Sequence, residues 1–522
     1  MRKQFFTILA GAILIIFAAG CDKGFEDVNK NPVLATSLDP GYLFSNAQFG
    51  SAIQTLFYQS QIVQQVNTPY TGVLEGGNHN VVYDPNTNQL FNLYYTGSTS
   101  NGVGPGPVKL LADVINQTGT NAARSNLYNM ARIWRAYIFG VLVDTYGDVP
   151  YSQAGQAYQQ SINLPQYDDQ KTIYDNLLKE VSEATKALDA SKAIEAGDLF
   201  YKGNIAQWKR LGNSLLLRLA MRFTKVDAAK AKQYAAIAVD QANGGLMQSN
   251  ADNAFLVFSA TFNHPNANSL QGTEKQNYYL GKPFVDYLKG TSDPRLKFFA
   301  VRYANPAGNI FTSPSVGAED TTTASQNGMP FGYNESTIAS APNFPGKTGS
   351  AFNYSQLNRR TVAKTDATEF FITYGQTQLL LAEAAFKGFV NGTPSTLYES
   401  GVRGHMDQLK QFDASANIPT TAQDAYLTAN PYNANRALEQ INTQYWIASF
   451  LNGSEAWANF RRSGFPALPP NPYPSADPAV KGDFIHRLVY PVREVSVNTT
   501  NYNAAVARMG ADNLATRVFW DK

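Results

Sequence analysis

The sequence predicts a mainly α fold, in which a helical-repeat scaffold carries large irregular loop elaborations and few short strands. Apolar residues recur at intervals of three and four over long stretches, which is the spacing of helices that bury one face. Between these stretches, residues 67–106 and 259–364 are rich in Asn, Gly, Thr, Pro and Tyr, a composition typical of turns and loops. Consecutive helices with short connectors indicate helical repeats, although no fixed period emerges.

The chain begins with the pattern of a lipoprotein signal peptide. Arg2 and Lys3 precede an apolar run from Phe5 to Ala19, which is shorter than the roughly 20 apolar residues that cross a bilayer. Small residues then lead to Cys21, the only cysteine of the chain. We expect cleavage to remove residues 1–20 and acylation of Cys21 to anchor the mature protein. Residues 21–37 are polar and turn-rich, as expected of a tether, and residues 38–522 form a single α-helical domain.

Composition restricts the classes of partner. Removal of residues 1–20 takes away two basic residues and leaves 40 basic residues (42 − 2) against 40 acidic ones, a balance that argues against nucleic acid. The single cysteine excludes a disulfide framework. The 29 Tyr and 31 Phe residues instead suit surfaces that stack on, and hydrogen-bond to, neutral polar ligands, although many of them must belong to the core.

Helical patterning follows the tether in several blocks. Trp208, Trp446 and Trp457 fall on the apolar stripes of these blocks and are expected in the core. Gly147 and Pro150 mark a helix end and a turn, so the neighbouring aspartates are interpreted as structural. The final stretch from Arg487 to Val492 is typical of a short edge strand. The blocks with helical spacing are 38–66, 122–143, 168–188, 204–223, 227–242, 369–389 and 433–450.

The two loop-rich stretches are the predicted ligand-binding elaborations. A site for a neutral polar ligand with apolar faces and hydroxyls needs aromatic side chains for stacking and amides or carboxylates for directional hydrogen bonds. Both stretches supply these residue types, whereas Phe91 and Tyr94 resemble a packed helix start. The candidate ligand contacts are Tyr70, Asn78, Asn80 and Tyr83 in the first stretch and Tyr278 and Tyr333 in the second.

Several segments resemble the SusD/RagB family of nutrient-binding outer-membrane lipoproteins from Gram-negative bacteria. The matching blocks run in the family's order over nearly the whole chain, and they are specific only in combination. They are Cys21 with Phe25-Glu26-Asp27 and Asn31-Pro32, residues 131–136 leading to 144–151, Trp208-Lys209 to Arg222, residues 369–371 with 380–384, Trp446 to Arg462, and residues 487–491.

The resemblance implies a tetratricopeptide-like scaffold whose loop-rich face captures an oligosaccharide or a peptide. It also implies delivery of that nutrient to a partner TonB-dependent β-barrel transporter, with lipid anchoring in the outer membrane, facing the cell exterior, and no enzymatic activity. One departure bears on surface display. The acidic cluster that many relatives carry after the lipid cysteine is reduced here to Asp22, Glu26 and Asp27.

Catalytic and cofactor signatures are weak in the sequence. The four histidines are isolated, with no pair at metal-ligand spacing, and neither a nucleophile elbow nor a phosphate-binding glycine loop occurs. We therefore predict no cofactor and no metal, although 40 acidic residues leave room for an opposed carboxylate pair of the kind that glycosidases use. A second function class also stays open, namely a lipid-anchored helical-repeat scaffold that binds other envelope proteins and no small ligand.

Overall fold

The computed structural model describes residues 38–53, 58–97, 104–259, 261–308, 310 and 319–522. Cys21 and the tether lie outside these residues. The described residues contain twenty α-helices: α1 Pro40–Phe49, α2 Gln59–Ile62, α3 Asp84–Thr87, α4 Gln89–Tyr95, α5 Pro107–Thr118, α6 Ser125–Tyr146, α7 Ala157–Gln160, α8 Gln170–Ala187, α9 Ile205–Met221, α10 Ala228–Ala238, α11 Pro265–Gln271, α12 Lys282–Gly290, α13 Leu296–Phe299, α14 Tyr374–Phe386, α15 Pro394–Gln408, α16 Thr420–Ala429, α17 Ala437–Ala448, α18 Gly453–Ser463, α19 Val492–Val497 and α20 Thr499–Met509.

The longer helices pack as neighbours in chain order, which confirms the predicted mainly α scaffold. Helix α5 packs on α6, α6 on α8, α8 on α9 and α9 on α10; after the second loop-rich stretch, α14 packs on both α15 and α17. Helix α9 also contacts α14, so the two halves of the scaffold share one hydrophobic core. None of the helices in the described ranges is both long enough and apolar enough to cross a membrane.

Local sequence sets several helix boundaries. The side chains of Asp169 and Asn204 accept hydrogen bonds from backbone amides in the first turns of α8 and α9. At α14, Thr373 and Gln376 cap each other's backbone amides in a reciprocal box. Helix α6 ends at Gly147, whose φ of 78° lies in the left-handed region that glycine adopts at least cost. These caps satisfy amides that the helices cannot pair internally.

The core contains the three expected tryptophans, each at most 1% exposed. Inside it, a buried ionic cluster joins α6, α9, α17 and α18. The Arg222 guanidinium lies 3.2 Å from a carboxylate oxygen of Asp144 and 2.8 Å from one of Glu455. Burial raises the pKa of Asp144, whereas the charges of Arg218 and Arg222 outweigh burial and lower the pKa of Glu455. Asp144 is therefore structural, as interpreted from the sequence.

Strands are short, and their sequence separations range from the β8–β9 hairpin to the β1–β5 pair, which joins segments more than two hundred residues apart. Strand β1 pairs with β5, β2 with β3, β4 with β11 and β8 with β9, and β10-β6-β7 form a three-stranded sheet; all these pairs are antiparallel. The strands are β1 Val66–Asn67, β2 Val149–Pro150, β3 Tyr167–Asp168, β4 Ala254–Val257, β5 Tyr279–Leu280, β6 Ala300–Tyr303, β7 Glu319–Asp320, β8 Lys347–Thr348, β9 Ala351–Phe352, β10 Gln356–Leu357 and β11 Thr368–Ile372.

Three sequence-based expectations about elements need correction. The edge strand predicted for Arg487 to Val492 is absent, because the amides of His486 and Leu488 bond to the carbonyls of Leu514 and Thr145 rather than to one partner strand. The helix expected over 369–389 begins only at Tyr374, since strand β11 occupies the preceding residues. The first loop-rich stretch also contains α3 and α4, with Phe91 and Tyr94 buried as expected.

Candidate functional site

The two loop-rich stretches meet at one face of the molecule. Val66 and Asn67 pair with Leu280 and Tyr279 as strands β1 and β5. Beyond this ladder, the Asn67 amide donates to the Pro330 carbonyl at 2.8 Å. Segments that are more than two hundred residues apart in sequence are therefore held side by side. We call the described residues in 68–88, 331–354 and 471–484 the loop face.

His79 joins the three segments of the loop face. Its ring stacks on Tyr473 with centroids 3.8 Å apart, its Nε2 lies 3.2 Å from the Tyr333 carbonyl oxygen, and its Nδ1 lies 3.3 Å from Glu75 Oε1. A carbonyl oxygen only accepts, so Nε2 carries the proton that makes the bond to Tyr333. Burial lowers the pKa of His79 below its usual 6.5, although both acceptors work against this shift.

The third segment was not predicted from the sequence. Asn471 donates from its side-chain amide to the Asn78 carbonyl at 2.6 Å, and the Asp477 amide donates to the Asn80 carbonyl at 2.9 Å. The available signal was the proline-rich run Pro469-Pro470-Asn471-Pro472 leading to Tyr473, which is typical of a rigid, extended loop. This segment closes the loop face from the carboxyl-terminal part of the chain.

An aromatic cluster lies beneath the loop face. Its buried members are Tyr279, Met329, Ile338, Ala341, Phe352 and Tyr354, and the partly buried rings of Tyr70, Tyr333 and Phe344 pack against it. The Tyr70 and Phe352 rings are 6.1 Å apart, within the range of favourable aromatic contacts. Tyr70 and Tyr333 thus combine a fixed position with remaining exposure, which is what a stacking platform requires.

The predicted asparagines serve the backbone of the loop face. Asn78 is 1% exposed and donates to the Thr68 carbonyl at 2.6 Å. Asn80 is also buried and has a φ of 55°, a left-handed conformation that asparagine tolerates better than most residues. In this structure both side chains shape the loop rather than project from it.

The predicted tyrosines occupy different environments. Tyr70, Tyr83 and Tyr333 are each half-buried, and Tyr83 immediately precedes α3. Tyr278 is different, because it is 1% exposed and packs in the main core. A ring without an accessible face cannot stack on a ligand, so the structure corrects its assignment. The neighbouring Tyr279 belongs to the aromatic cluster instead.

The histidines other than His79 have structural surroundings. His264 Nε2 lies 2.7 Å from Glu369 Oε2, His405 contacts the Arg295 guanidinium, and His486 Nδ1 lies 2.6 Å from Asp521 Oδ2. Within the described ranges, no group of three or more His, Cys, Asp or Glu side chains is arranged to hold a metal ion.

Comparison with known proteins gives one family match. The family model described as "Starch-binding associating with outer membrane" matches residues 32–491. Among curated protein sequences, none matches this chain.

Solved structures share the fold over nearly the whole chain. A chitin-binding protein is 29% identical, with a TM-score of 0.77, and the match covers 92% of this chain and all of that one. A Bacteroidetes SusD-like protein is 25% identical, with a TM-score of 0.78 and coverage of 93% and 100%. A chitin-binding SusD homologue from Flavobacterium johnsoniae is 22% identical, with a TM-score of 0.72 and coverage of 92% and 97%.

Proposed function

We propose that the loop face captures an oligosaccharide, because the chain belongs to the SusD-like family of starch-binding proteins that associate with the outer membrane. The observation that carries this proposal is the convergence of the two loop-rich stretches, which sets the partly exposed rings of Tyr70 and Tyr333 over one aromatic cluster. Sugar rings stack on such faces.

The favoured ligand is a neutral glycan. The partly exposed rings of Tyr70 and Tyr333 are uncharged stacking surfaces, which suit the apolar faces of a neutral sugar. The 29% identical solved structure is a chitin-binding protein, which makes chitin oligosaccharides the first ligands to test, with malto-oligosaccharides second. A peptide is the alternative nutrient, and binding is proposed without any catalytic step.

Calorimetric titration of the mature protein with both oligosaccharide series tests the proposal. We expect alanine at Tyr70 or at Tyr333 to weaken binding about tenfold, since a stacked ring contributes about 1.4 kcal/mol. Tyr158→Ala is the matched control, because Tyr158 is 89% exposed on α7, outside the loop face. Tyr83→Ala tests the remaining tyrosine prediction. Unchanged affinity in the Tyr70 and Tyr333 variants would remove the loop face from the binding site.

We also infer that the protein is anchored through lipid on Cys21 at the cell exterior and passes its ligand to a TonB-dependent β-barrel transporter. Family membership supports outer-membrane association, and the transporter follows from the resemblance of the sequence. Detergent extraction of the acylated protein from native membranes, followed by mass spectrometry, tests the partner. A β-barrel in near-equal amount is expected. Recovery with periplasmic proteins alone would favour the scaffold hypothesis.

A further inference from the structure

A cavity of about 270 Å³ adjoins the aromatic cluster. Thr348, Phe352, Asn353 and Tyr354 of its wall belong to the loop face, and the other lining residues lie outside the loop face. Phe352 and Tyr354 belong both to the cluster and to the cavity wall. The polar part of the wall comprises Arg302, Tyr303, Asp320, Asn353 and Gln356. None of the six residues that the sequence singled out as ligand contacts lines this cavity.

The three-stranded sheet supplies Arg302, Tyr303, Asp320 and Gln356 of this wall. In the β6–β7 pair, Arg302 lies opposite Asp320, and in the β6–β10 pair, Val301 lies opposite Gln356. The β8–β9 hairpin and the residue that follows it add Thr348, Phe352 and Asn353. A cation, a carboxylate and two amides therefore surround two tyrosine rings and a phenylalanine ring. Because backbone ladders hold the strands, these groups are positioned before any ligand arrives.

Two buried polar atoms on this wall have no hydrogen-bond partner among the residues that the structure describes. Tyr354 is 3% exposed and its hydroxyl makes no hydrogen bond; Gln356 is 5% exposed and its Oε1 accepts none. By contrast, the Tyr303 hydroxyl accepts from the Arg359 amide at 2.8 Å. A buried polar group without a partner costs about 1–3 kcal/mol, so two on one cavity wall need an explanation. Burial raises the pKa of Tyr354 to about 12, so its phenol stays protonated and can donate.

We propose that this cavity is a second binding site, distinct from the surface that Tyr70 and Tyr333 form, and that it takes a single sugar residue. Its volume lies just below the range of about 300–1,000 Å³ that is usual for ligand pockets, which suits one ring rather than a chain. The Tyr354 hydroxyl donates to a ring hydroxyl, and the Gln356 carbonyl oxygen accepts from another. The choice of a sugar rests on the proposed function, whereas the position of the site rests on the cavity and its two unpartnered atoms.

The test uses saturation-transfer NMR titrations of the mature protein with N-acetylglucosamine and with glucose. We expect Tyr354→Phe to weaken binding of the bound monosaccharide about 3- to 10-fold, the effect of losing one hydrogen bond. The melting temperature should not fall, because the lost hydroxyl has no partner in the free protein. Ala304→Trp, at an exposed residue of the cavity wall, should weaken binding more than tenfold by filling the cavity.

Two matched variants control for the substitutions themselves. Tyr432→Phe removes another buried hydroxyl without a partner, between α16 and α17, and should leave monosaccharide binding unchanged. Ala307→Trp places the same ring at an exposed residue that does not line the cavity, and it should leave monosaccharide binding unchanged. Tyr333→Ala should also leave monosaccharide binding unchanged, but it should weaken oligosaccharide binding.

Three outcomes would overturn the inference. If monosaccharide binding is unchanged in both the Tyr354→Phe and the Ala304→Trp variants, the monosaccharide binds outside this cavity. Binding that Tyr333→Ala abolishes belongs to the loop face. If neither sugar shows saturation transfer at millimolar concentration, the cavity does not bind the proposed ligand. In each case, calorimetry with oligosaccharides still decides the proposed function separately, because that measurement depends on Tyr70 and Tyr333.

Discussion

His79 is the side chain at which the three segments of the loop face converge, and its charge state should control how firmly they hold together. Its folded pKa lies below 6.5, so His79 binds a proton less readily in the folded protein than in the unfolded chain. The contribution of neutral His79 to stability is complete above pH 6.5 and is lost as the pH falls through the folded pKa. We expect faster hydrogen exchange in residues 68–88 at pH 5.5 than at pH 7.5, after correction for intrinsic rates.

His79→Gln provides the control for this pH effect. Glutamine cannot titrate in this range, so the difference in corrected exchange between the two pH values should shrink. An equal pH dependence in the variant would assign the effect to a group other than His79.

The pair of Glu383 and Arg462 is the clearest residue-scale determinant of scaffold stability. Both side chains are at most 2% exposed, and two parallel N–H···O bonds of 2.7 Å join them. Glu383→Gln leaves the Arg462 charge buried without its counterion, so we expect a loss of about 3–5 kcal/mol in the free energy of unfolding. Denaturant titration measures this loss. Asp286→Asn breaks the exposed pair with Lys282 and should cost less than about 1 kcal/mol.

The same pair predicts a pH dependence of stability. Burial raises the pKa of Glu383, but the charges of Arg462 and Lys387, together with the hydrogen bonds from Arg462 and Asn442, outweigh burial, and the folded pKa falls below 4.5. Stability from this group is complete above pH 4.5 and is lost as the pH falls through the folded pKa. The Glu383→Gln variant should lack this component. An identical acid dependence of unfolding in both proteins would contradict the assignment.

At the scale of elements, the end of α6 depends on a glycine. Gly147 has a φ of 78°, and an added Cβ would lie 2.5 Å from Met509 Sδ. Met509 Sδ also accepts from the Asp148 amide at 3.0 Å, so the sulfur cannot withdraw without losing that contact. We expect Gly147→Ala to cost about 2 kcal/mol or more in unfolding free energy.

Gly464, at the end of α18, separates backbone strain from crowding. Its φ of 82° is nearly the same, but an added Cβ would meet no atom within 4 Å. Gly464→Ala should therefore cost only the conformational penalty of about 1 kcal/mol. Chemical denaturation of the two variants compares them directly. Equal losses would show that the contact with Met509 has no energetic weight.

Elements differed in how far the sequence could predict them. Helices such as α9 have an apolar stripe and a capping residue, so local pattern is sufficient. Strand β1 has two residues and pairs with β5 far along the chain, so no local signal marks it. The same limit applies to the loop face. Tyr278 and Tyr279 are adjacent and chemically identical, yet Tyr278 packs in the main core and Tyr279 in the aromatic cluster, and only tertiary structure assigns one to each.

At the scale of the whole molecule, residues from the last part of the chain pack against helices from its first half. Trp520 is fully buried, donates to the Asp144 carboxylate at 3.0 Å and lies beside the Arg222 guanidinium. Residues 471–484 meanwhile close the loop face against the first loop-rich stretch. The composition of the loops identified the region that carries rings and amides. The contacts of Trp520 and of residues 471–484 could not be predicted, because they join segments with no shared local pattern.

The remaining whole-molecule prediction concerns how the protein is held at the membrane. Cleavage before Cys21 would expose both a thiol and a new amino terminus, which together can carry several acyl chains, and two or more chains give stable anchoring. We expect cells to incorporate labelled palmitate into the wild-type protein and not into Cys21→Ser. Globomycin should cause the uncleaved precursor to accumulate. Label that persists in Cys21→Ser, or a precursor ratio that globomycin leaves unchanged, would mean that attachment uses another residue or none.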